Sequence, residues 1–345
     1  MDNPLPARRR RVVITQRYID PATLDYLARH GCDADLAELP PGQADGTLPE
    51  DHLYGLLAGA DGWIVGHARV SASLLARLPQ LQVIARRGVG YERVDTAAVA
   101  ALGKVATIAS GGNDACVADH ALAMMLALGH RLRESQMRMS GGDWTILTGT
   151  DLYRKTVGIV GYGRIGKAVA RRLAGFEAEI LVASSGAPRE PGADDMPVRH
   201  VDLDTLLARS DYVTLHAPLT PATRFLIGEA ALRRMKRGSF LVNTARGGLV
   251  DDRQLLAALR SGHLGGAGLD VFASESDPAL AEVTRELLAL PNVLCTPHAA
   301  ASTNEGLQRT NLIAAQCVVA VLDGGMPPSA CVIADGRIID LNNQC

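Results

Sequence analysis

Three polar residues fall at or just beyond the ends of successive strand-like runs late in the chain. Arg246 follows Ser239-Phe-Leu-Val-Asn243, Glu275 follows Gly268-Leu-Asp-Val-Phe272, and His298 follows Val293-Leu-Cys-Thr-Pro297. Strand ends of this kind form the edge at which open α/β sheets bind ligands. Together the three types suit hydride chemistry on an alcohol or a carbonyl. A histidine takes or gives the hydroxyl proton near neutral pH, and a carboxylate beside it fixes its tautomer and favours its charged form. An arginine holds a carboxylate bidentately and polarises a carbonyl. Singly, each has an ordinary explanation: a loop histidine, a helix-capping arginine, a solvated glutamate. Their succession argues for chemistry.

Hydride transfer needs a carrier, and Val157-Gly-Ile-Val-Gly161-Tyr-Gly163-Arg-Ile-Gly166 provides for one. A buried-strand pattern runs into glycines at G-x-G-x-x-G spacing, and a helical run, Lys167 to Leu173, follows at once. Gly161 makes the tight turn, Gly163 lets backbone approach a pyrophosphate, and Gly166 lets the helix pack closely on the sheet. The motif is weak alone; strand before and helix after make it specific.

The elements that must position these residues alternate between strand and helix, the pattern of parallel sheets with helical crossovers. In the first third, strands are expected at Arg11–Thr15, Gly62–Val65, Leu81–Ala85 and Lys104–Ile108, separated by helices at Pro21–His30, Pro49–Ala58, Ser71–Leu78 and Thr96–Leu102. A helix from Asp114 to about Met139, apolar nearly all round at Ala121–Leu128, calls for cover by a core or a subunit interface. Six strands then suit a doubly wound dinucleotide domain: Val157–Gly161, Ile180–Ala183, Tyr212–His216, Ser239–Asn243, Gly268–Phe272 and Val293–Thr296. A last helix, about Thr303–Leu322, has no sheet of its own and should pack back on the first domain. Residues 186–197 look like a surface loop.

Composition excludes several classes. The 345 residues exceed a single core and imply two domains. With 47% apolar residues, 21% charged and a net charge of −2, nothing favours nucleic acid. The only basic run, Arg8–Arg11, leads straight into a strand and reads as a solvated edge. No segment has the length or apolarity of a membrane span or a signal peptide. Six cysteines without paired spacing suggest reduced thiols in a cytoplasmic protein, and no metal site is expected.

At this point the chain resembles the D-isomer-specific 2-hydroxyacid dehydrogenases, in particular the phosphoglycerate dehydrogenase and hydroxypyruvate/glyoxylate reductase branch. The resemblance runs from about Leu81 to about Leu322. It is carried by Leu81–Asp95, like the family's substrate loop; by Gly112-Asn113 through Val117-Ala-Asp-His-Ala121; and by His216-Ala-Pro-Leu-Thr220, Asn243–Asp251 and Gly268–Phe272. The separation of 29 positions from Arg246 to Glu275 also fits. Three departures stand out: Ser276 where a proline is usual, 23 residues from Glu275 to His298, and Ala300 in place of a glycine.

The resemblance implies two doubly wound parallel-sheet domains. The dinucleotide-binding (Rossmann) domain, residues 110–297, is inserted into a flavodoxin-like substrate domain made of residues 1–109 and 298–345. It implies that Arg246 anchors the substrate carboxylate, that His298 is the general acid/base, and that Glu275 orients it. Asp270, Thr244 and Ala245 fall at the nicotinamide end. Gly161, Gly163, Arg164, Ile165, Gly166, Ala217 and Pro218 line the rest of the cofactor. Arg86, Arg87, Val89 and Gly90 fall in the substrate loop, whose Gly88–Gly90 amides should meet Arg246 across a cleft. The implied partners are a small 2-oxo or 2-hydroxy acid and a second copy of the chain, with neither nucleic acid nor membrane. No C-terminal regulatory domain is expected. The alternative on the same fold is a cofactor-sensing interaction protein of the corepressor type.

Two finer expectations concern specificity. An NAD site places Asp or Glu at the end of the second strand. Here Glu179-Ile-Leu-Val-Ala183 ends in Ser184-Ser185, with Arg189 a little beyond. Two hydroxyls, a cation and no carboxylate favour NADP over NAD; relaxed or NAD use is the competing reading. Arg87, a second charge beside Arg86, favours a substrate with a second anionic group such as 3-phosphoglycerate, unless it salt-bridges a nearby carboxylate. A hydroxypyruvate or glyoxylate reductase is the other possibility.

Overall fold

The computed structural model describes residues 8–40, 44–185 and 197–337. The chain divides into two compact units, one from Met1–Asn113 with Thr303–Cys345, the other Asp114–Ser302. The expected boundaries each shift by a few residues. Residues 298–302 stay with the second unit, where the N–H groups of Ala299 and Ala300 donate to the Asp270 carboxylate. Residues 110–113 stay with the first, where Arg309 Nε donates to the Gly112 carbonyl at 3.0 Å.

The first unit runs β1 (Arg10–Ile14), α1 (Pro21–Arg29), β2 (Cys32–Leu36), α2 (Glu50–Leu57), β3 (Gly62–Val65), α3 (Ala72–Ala76), β4 (Val83–Arg86), α4 (Thr96–Ala101) and β5 (Val105–Ile108). Asp20, Ser71 and Asp95 cap α1, α3 and α4 by accepting from backbone N–H groups. The second unit runs α5 (Asp114–Gly129), α6 (Leu132–Ser140), β6 (Thr156–Val160), α7 (Arg164–Leu173), β7 (Glu179–Ala183), β8 (Val198–His200), α8 (Leu203–Arg209) and β9 (Tyr212–Leu215). It continues through α9 (Glu229–Arg234), β10 (Phe240–Asn243), α10 (Asp252–Arg260), β11 (Gly266–Leu269), α11 (Ala281–Ala289) and β12 (Val293–Cys295). The chain then returns to the first unit with α12 (Asn304–Leu322) and β13 (Val332–Asp335).

The first sheet has the order β13-β5-β4-β3-β1-β2 and is parallel except for β13, which pairs antiparallel with β5. Its inner strands β1, β3, β4 and β5 are largely apolar on both faces because both are covered. On one face Ala314, Ala315 and Val318 of α12 pack with Val12, Ile14, Ile64 and Val83; on the other Leu53, Leu74 and Val99 pack with Val13, Trp63 and Ile84. The last helix thus fills the place expected of it.

The second sheet has the order β12-β11-β10-β9-β6-β7-β8, a doubly wound arrangement whose order reverses at β6. It has seven strands, not six. The extra one, β8, is three residues of Val-Arg-His at the edge, too short and polar to show a period. In the first unit β2 is hidden likewise, since its Cys-Asp-Ala-Asp-Leu carries two carboxylates. Those carboxylates explain the basic run: Arg9 pairs with Asp33 at 2.6 Å and Arg11 with Asp35 at 2.5 Å, while Arg8 pairs with Asp61 and Arg10 with Asp323.

The long crossover helix breaks in two at Arg131, which turns left-handed (φ 53°) and ties its guanidinium to Glu134. One face of the apolar helix α5, with Ala118, Ala121, Met124, Met125 and Leu128, is buried against α7 and the sheet of its own unit, while Ala123 is exposed and Leu122, Leu126 and Ala127 are half-buried. Cys317 and Cys331 are hydrogen-bonded neighbours in the first unit, and all five described cysteines are free thiols. Among the described residues no helix is long and apolar enough to cross a membrane.

Candidate active site

The glycine turn makes the tight turn and the close helix packing that its spacing calls for and leaves open space at its middle position. Gly161 is left-handed (φ 95°), and a Cβ there would meet Ala217 N at 2.6 Å. A Cβ on Gly166 would lie 2.2 Å from the Gly161 carbonyl oxygen, so only glycine lets α7 sit this close to β6. Gly163 has open space where a Cβ would be, and it begins α7 without a side-chain cap. The first N–H groups of α7 are therefore available to an anion.

Above this turn lies a cavity of about 850 Å³ at the point where the strand order reverses. Its walls include Gly161, Gly163, Arg164, Ser184, Ser185, Ala217 and Pro218. Ile165 faces the core instead, packed beside the α5–α7 contact, and Ala245 packs on the apolar cluster under α10. Thr244 is buried, and its Oγ1 has no hydrogen-bond partner among the described residues, an orphan suited to a polar group arriving with a ligand. Arg189 lies outside the described residues. The cavity size, the open Gly163 position and the orphaned Thr244 hydroxyl fit a dinucleotide.

The cavity also holds residues that the strand-end argument overlooks. Lys167 and Tyr162 line it, as do His200 and Asp202, which arrive on the unforeseen β8 and the turn after it. Asp202 corrects the expectation that no carboxylate is near. It caps α8, and the backbone N–H and hydroxyl of Thr205 hold its carboxyl below the usual range. His216 is half-buried in the wall, bonded to Thr214 Oγ1 at 2.9 Å, and desolvation pushes its pKa down to about 4.

The histidine and the glutamate meet. His298 Nδ1 donates to Glu275 Oε2 at 2.8 Å, and the other oxygen of Glu275 accepts from the Phe272 N–H at 2.8 Å. Burial pushes Glu275 up, but the hydrogen bonds from His298 and Phe272 and the charges of His298 and Arg246 outweigh it, so its carboxyl sits below the usual range. Glu275 thus stays anionic at neutral pH. Arg246 follows β10, with Nη1 donating to the Ala245 carbonyl and Asn243 Nδ2 donating to its own carbonyl oxygen at 2.9 Å.

His298 is one of few non-glycine residues with a left-handed backbone, at φ 53°. Such strain persists only where the surroundings over-determine it. Asp270 supplies the determination. Its carboxylate is fully buried, accepting from Thr296 Oγ1 at 2.5 Å and from the N–H groups of Ala299 and Ala300 at 2.7 and 3.0 Å. Its carbonyl accepts from the His298 N–H at 2.8 Å. Asp270 therefore clamps the loop bearing His298 and is not among the residues of the cavity wall. Thr296 is held in turn by His120 Nε2 at 3.0 Å.

In the first unit, Arg86 Nη1 donates to the Arg87 carbonyl at 2.7 Å, and Arg87, Val89 and Gly90 are half-buried in the loop after β4. No N–H of Gly88, Val89 or Gly90 has a hydrogen-bond partner among the described residues.

The family model for "D-isomer specific 2-hydroxyacid dehydrogenase, NAD binding domain" matches residues 122–300. A glyoxylate reductase of Korarchaeum cryptofilum is 39% identical over 266 residues, covering 75% of this chain and 79% of that protein. A D-3-phosphoglycerate dehydrogenase of Mycobacterium leprae is 39% identical over 294 residues, or 84% of this chain, but the chain spans only 54% of that relative's length. Among solved structures, the TT0316 protein of Thermus thermophilus superposes with a TM-score of 0.82 at 35% identity, covering 94% of this chain and all of that one.

Proposed function

The chain belongs to the D-isomer specific 2-hydroxyacid dehydrogenase family of nicotinamide-dependent oxidoreductases, and we propose that it interconverts a small D-2-hydroxy acid and its 2-oxo acid through Arg246, Glu275 and His298. The observation that carries this reading is the 2.8 Å bond from His298 Nδ1 to an anionic Glu275. When bound, the nicotinamide cofactor supplies or accepts the hydride. The protein moves the proton, which His298 gives to the carbonyl oxygen during reduction and takes from the hydroxyl during oxidation. Glu275 fixes the tautomer with Nδ1–H, so that Nε2 is the exchanging atom, and offsets the charge on the protonated ring. Arg246 holds the substrate carboxylate bidentately. Arg86 and the amides of Val89 and Gly90 add substrate contacts.

Glyoxylate, hydroxypyruvate and 3-phosphohydroxypyruvate are the substrates we put forward. The test is a turnover panel of these acids and pyruvate with NADH and NADPH. Oxidation of reduced cofactor by any of them supports the reading, and none across the panel sinks it. The same assay separates it from an interaction protein that only senses the cofactor.

NADP is the favoured cofactor, because Ser184 and Ser185 line the cavity where an NAD site carries a carboxylate. Lys167 in the wall adds a cation, whereas Asp202, already engaged by Thr205, weighs the other way. We also propose a homodimer, on different grounds from helix α5. Leu132, Met137, Met139, Trp144 and Ile146 are exposed along one short stretch, Ile146 at 92%. Such a run marks an interaction surface. Light scattering at micromolar concentration checks it. The free thiols suit a reducing, cytoplasmic location.

A further inference from the structure

Asp252, the first residue of α10, is a buried carboxyl group with almost nothing to answer it. Four carboxyl groups are buried among the described residues, and the other three are met by several donors. Asp45 accepts from Thr15 Oγ1 and the N–H groups of Gly66 and His67, and Asp61 accepts from Arg8 and the Arg11 N–H. Asp270 accepts from Thr296 Oγ1 and the N–H groups of Ala299 and Ala300. The Asp252 side chain accepts one hydrogen bond, at 3.0 Å from the Ala273 N–H, and no cation pairs with it among the described residues. Two carboxylates act on it instead: Asp251 beside it in sequence and Glu275 on the turn Ala273–Glu275. Among the described residues no charged group of α9 or α11, the helices packed on α10, does so.

The backbone fixes this arrangement. A Cβ on Gly247 would lie 2.0 Å from the Phe272 carbonyl carbon and 2.4 Å from the Ala273 nitrogen. The segment leading into α10 and the turn bearing Glu275 therefore touch main chain to main chain. Of two adjacent amides there, Phe272 N–H donates to Glu275 Oε1 and Ala273 N–H to Asp252 Oδ2. Glu275 in turn holds His298 Nδ1. The remaining charges are Arg246, which acts on Glu275, and Asp270, with His120 Nε2 of α5 3.7 Å from its Oδ1. Burial pushes the Asp252 pKa up to about 6, and the charges of Asp251 and Glu275 add to the rise. The group is thus ionised at neutral pH, helped by its place at the start of a helix. A neutral amide of the same shape would escape both desolvation and repulsion, so stability does not account for a carboxylate here.

We propose that Asp252 is a positioning residue for the acid/base pair: it anchors the turn bearing Glu275 and, through Glu275, raises the affinity of His298 for its proton. The proposal rests on the function argued above. A nearby negative charge favours the protonated imidazole. Ionised Asp252 therefore keeps His298 available as a proton donor for carbonyl reduction to higher pH. Because the two groups titrate in coupled fashion, the ring gives up its proton over a wider span of pH than a lone histidine.

The test follows the His298 ring signals of the full chain by NMR as pH is raised, in the wild type, Asp252→Asn and Asp252→Ser. Their loss in His298→Asn identifies those signals. Both replacements keep an oxygen that can accept from Ala273 N–H, and they differ in size, so what they share is the lost charge. In both, the midpoint should fall by about half a pH unit and the curve should steepen to that of a single group. For any acid the enzyme reduces, the alkaline limb of kcat should move down equally. A merely structural carboxylate would alter Tm and leave the midpoint in place. Equal midpoints in wild type and Asp252→Asn overturn the proposal. So does a fall in only one replacement, which traces to packing. The titration needs no turnover, so failure to reduce any acid counts against the broader function and leaves the midpoints to decide on Asp252.

Discussion

Asp270 and His298 are joined through backbone and side chain at once. The His298 N–H donates to the Asp270 carbonyl at 2.8 Å, and the N–H groups of the next two residues donate to its carboxylate. An over-determined left-handed histidine is a preorganised one, and preorganisation costs stability that the clamp restores. Asp270→Asn turns one acceptor of the clamp into a donor facing N–H groups. Each buried donor left unmatched costs about 1–3 kcal/mol. The expected result is a fall in Tm of several degrees and a lower kcat, with cofactor affinity little altered. Wild-type kcat in this variant would show that the clamp does not position His298.

His298→Asn should lower kcat by about 10²–10⁴-fold, the usual contribution of a positioned acid/base, and leave cofactor affinity almost as it was. Arg246→Ala should raise KM for the oxo acid and slow turnover too, since the residue both binds the carboxylate and polarises the carbonyl. Steady-state kinetics of both variants on the best substrate check this. Near-normal turnover in either removes that residue from the chemistry.

Much of this arrangement is legible in the chain because its signals are local. The glycine turn, the apolar parallel strands and the polar residues after β10 and β12 all announce themselves within a few positions. What stays hidden depends on distant partners. Cys32–Leu36 looks like a loop until Arg9 and Arg11 come to neutralise Asp33 and Asp35. The strand expected at 268–272 spans Gly266–Leu269 instead, because glycines that look like a turn pack against Met124 and Leu128 of α5. That shift places Asp270 just past the strand end, where it can reach the His298 loop. Asp202 and His200 reach the cavity on a strand too short to carry a period.

Two desolvated groups tilt stability against pH in opposite directions. His216 has its pKa pushed down to about 4 by burial, below the ordinary 6.5, so it contributes stability above pH 6.5 that is lost as pH falls toward 4. Asp252 is raised by burial from 3.8 to about 6, against the bond from the Ala273 N–H and with the charges of Asp251 and Glu275. Its contribution is therefore full below pH 3.8 and is lost as pH rises through 6. The gain in Tm of His216→Gln over wild type should grow as pH falls from 6.5 to 4. That of Asp252→Asn should grow as pH rises from about 4 to about 6. Thermal denaturation across this range checks both, and parallel curves for variant and wild type would refute the corresponding assignment.

Cofactor choice turns on the end of β7. A carboxylate there hydrogen-bonds a ribose hydroxyl and repels a 2′-phosphate, whereas Ser184 and Ser185 carry no charge to repel it and can donate to the phosphate. The wild type should therefore show higher kcat/KM with NADPH than with NADH on the same oxo acid. Ser184→Asp should reverse the order, chiefly through a raised KM for NADPH, since charge repulsion at a binding contact acts on binding rather than on the hydride step. Lys167→Ala, which removes a cation from the cavity wall, should weaken NADPH more than NADH. A wild-type preference for NADH, with Ser184→Asp leaving the ratio unchanged, would place cofactor discrimination with Asp202 instead, and Asp202→Asn would then raise NADPH use.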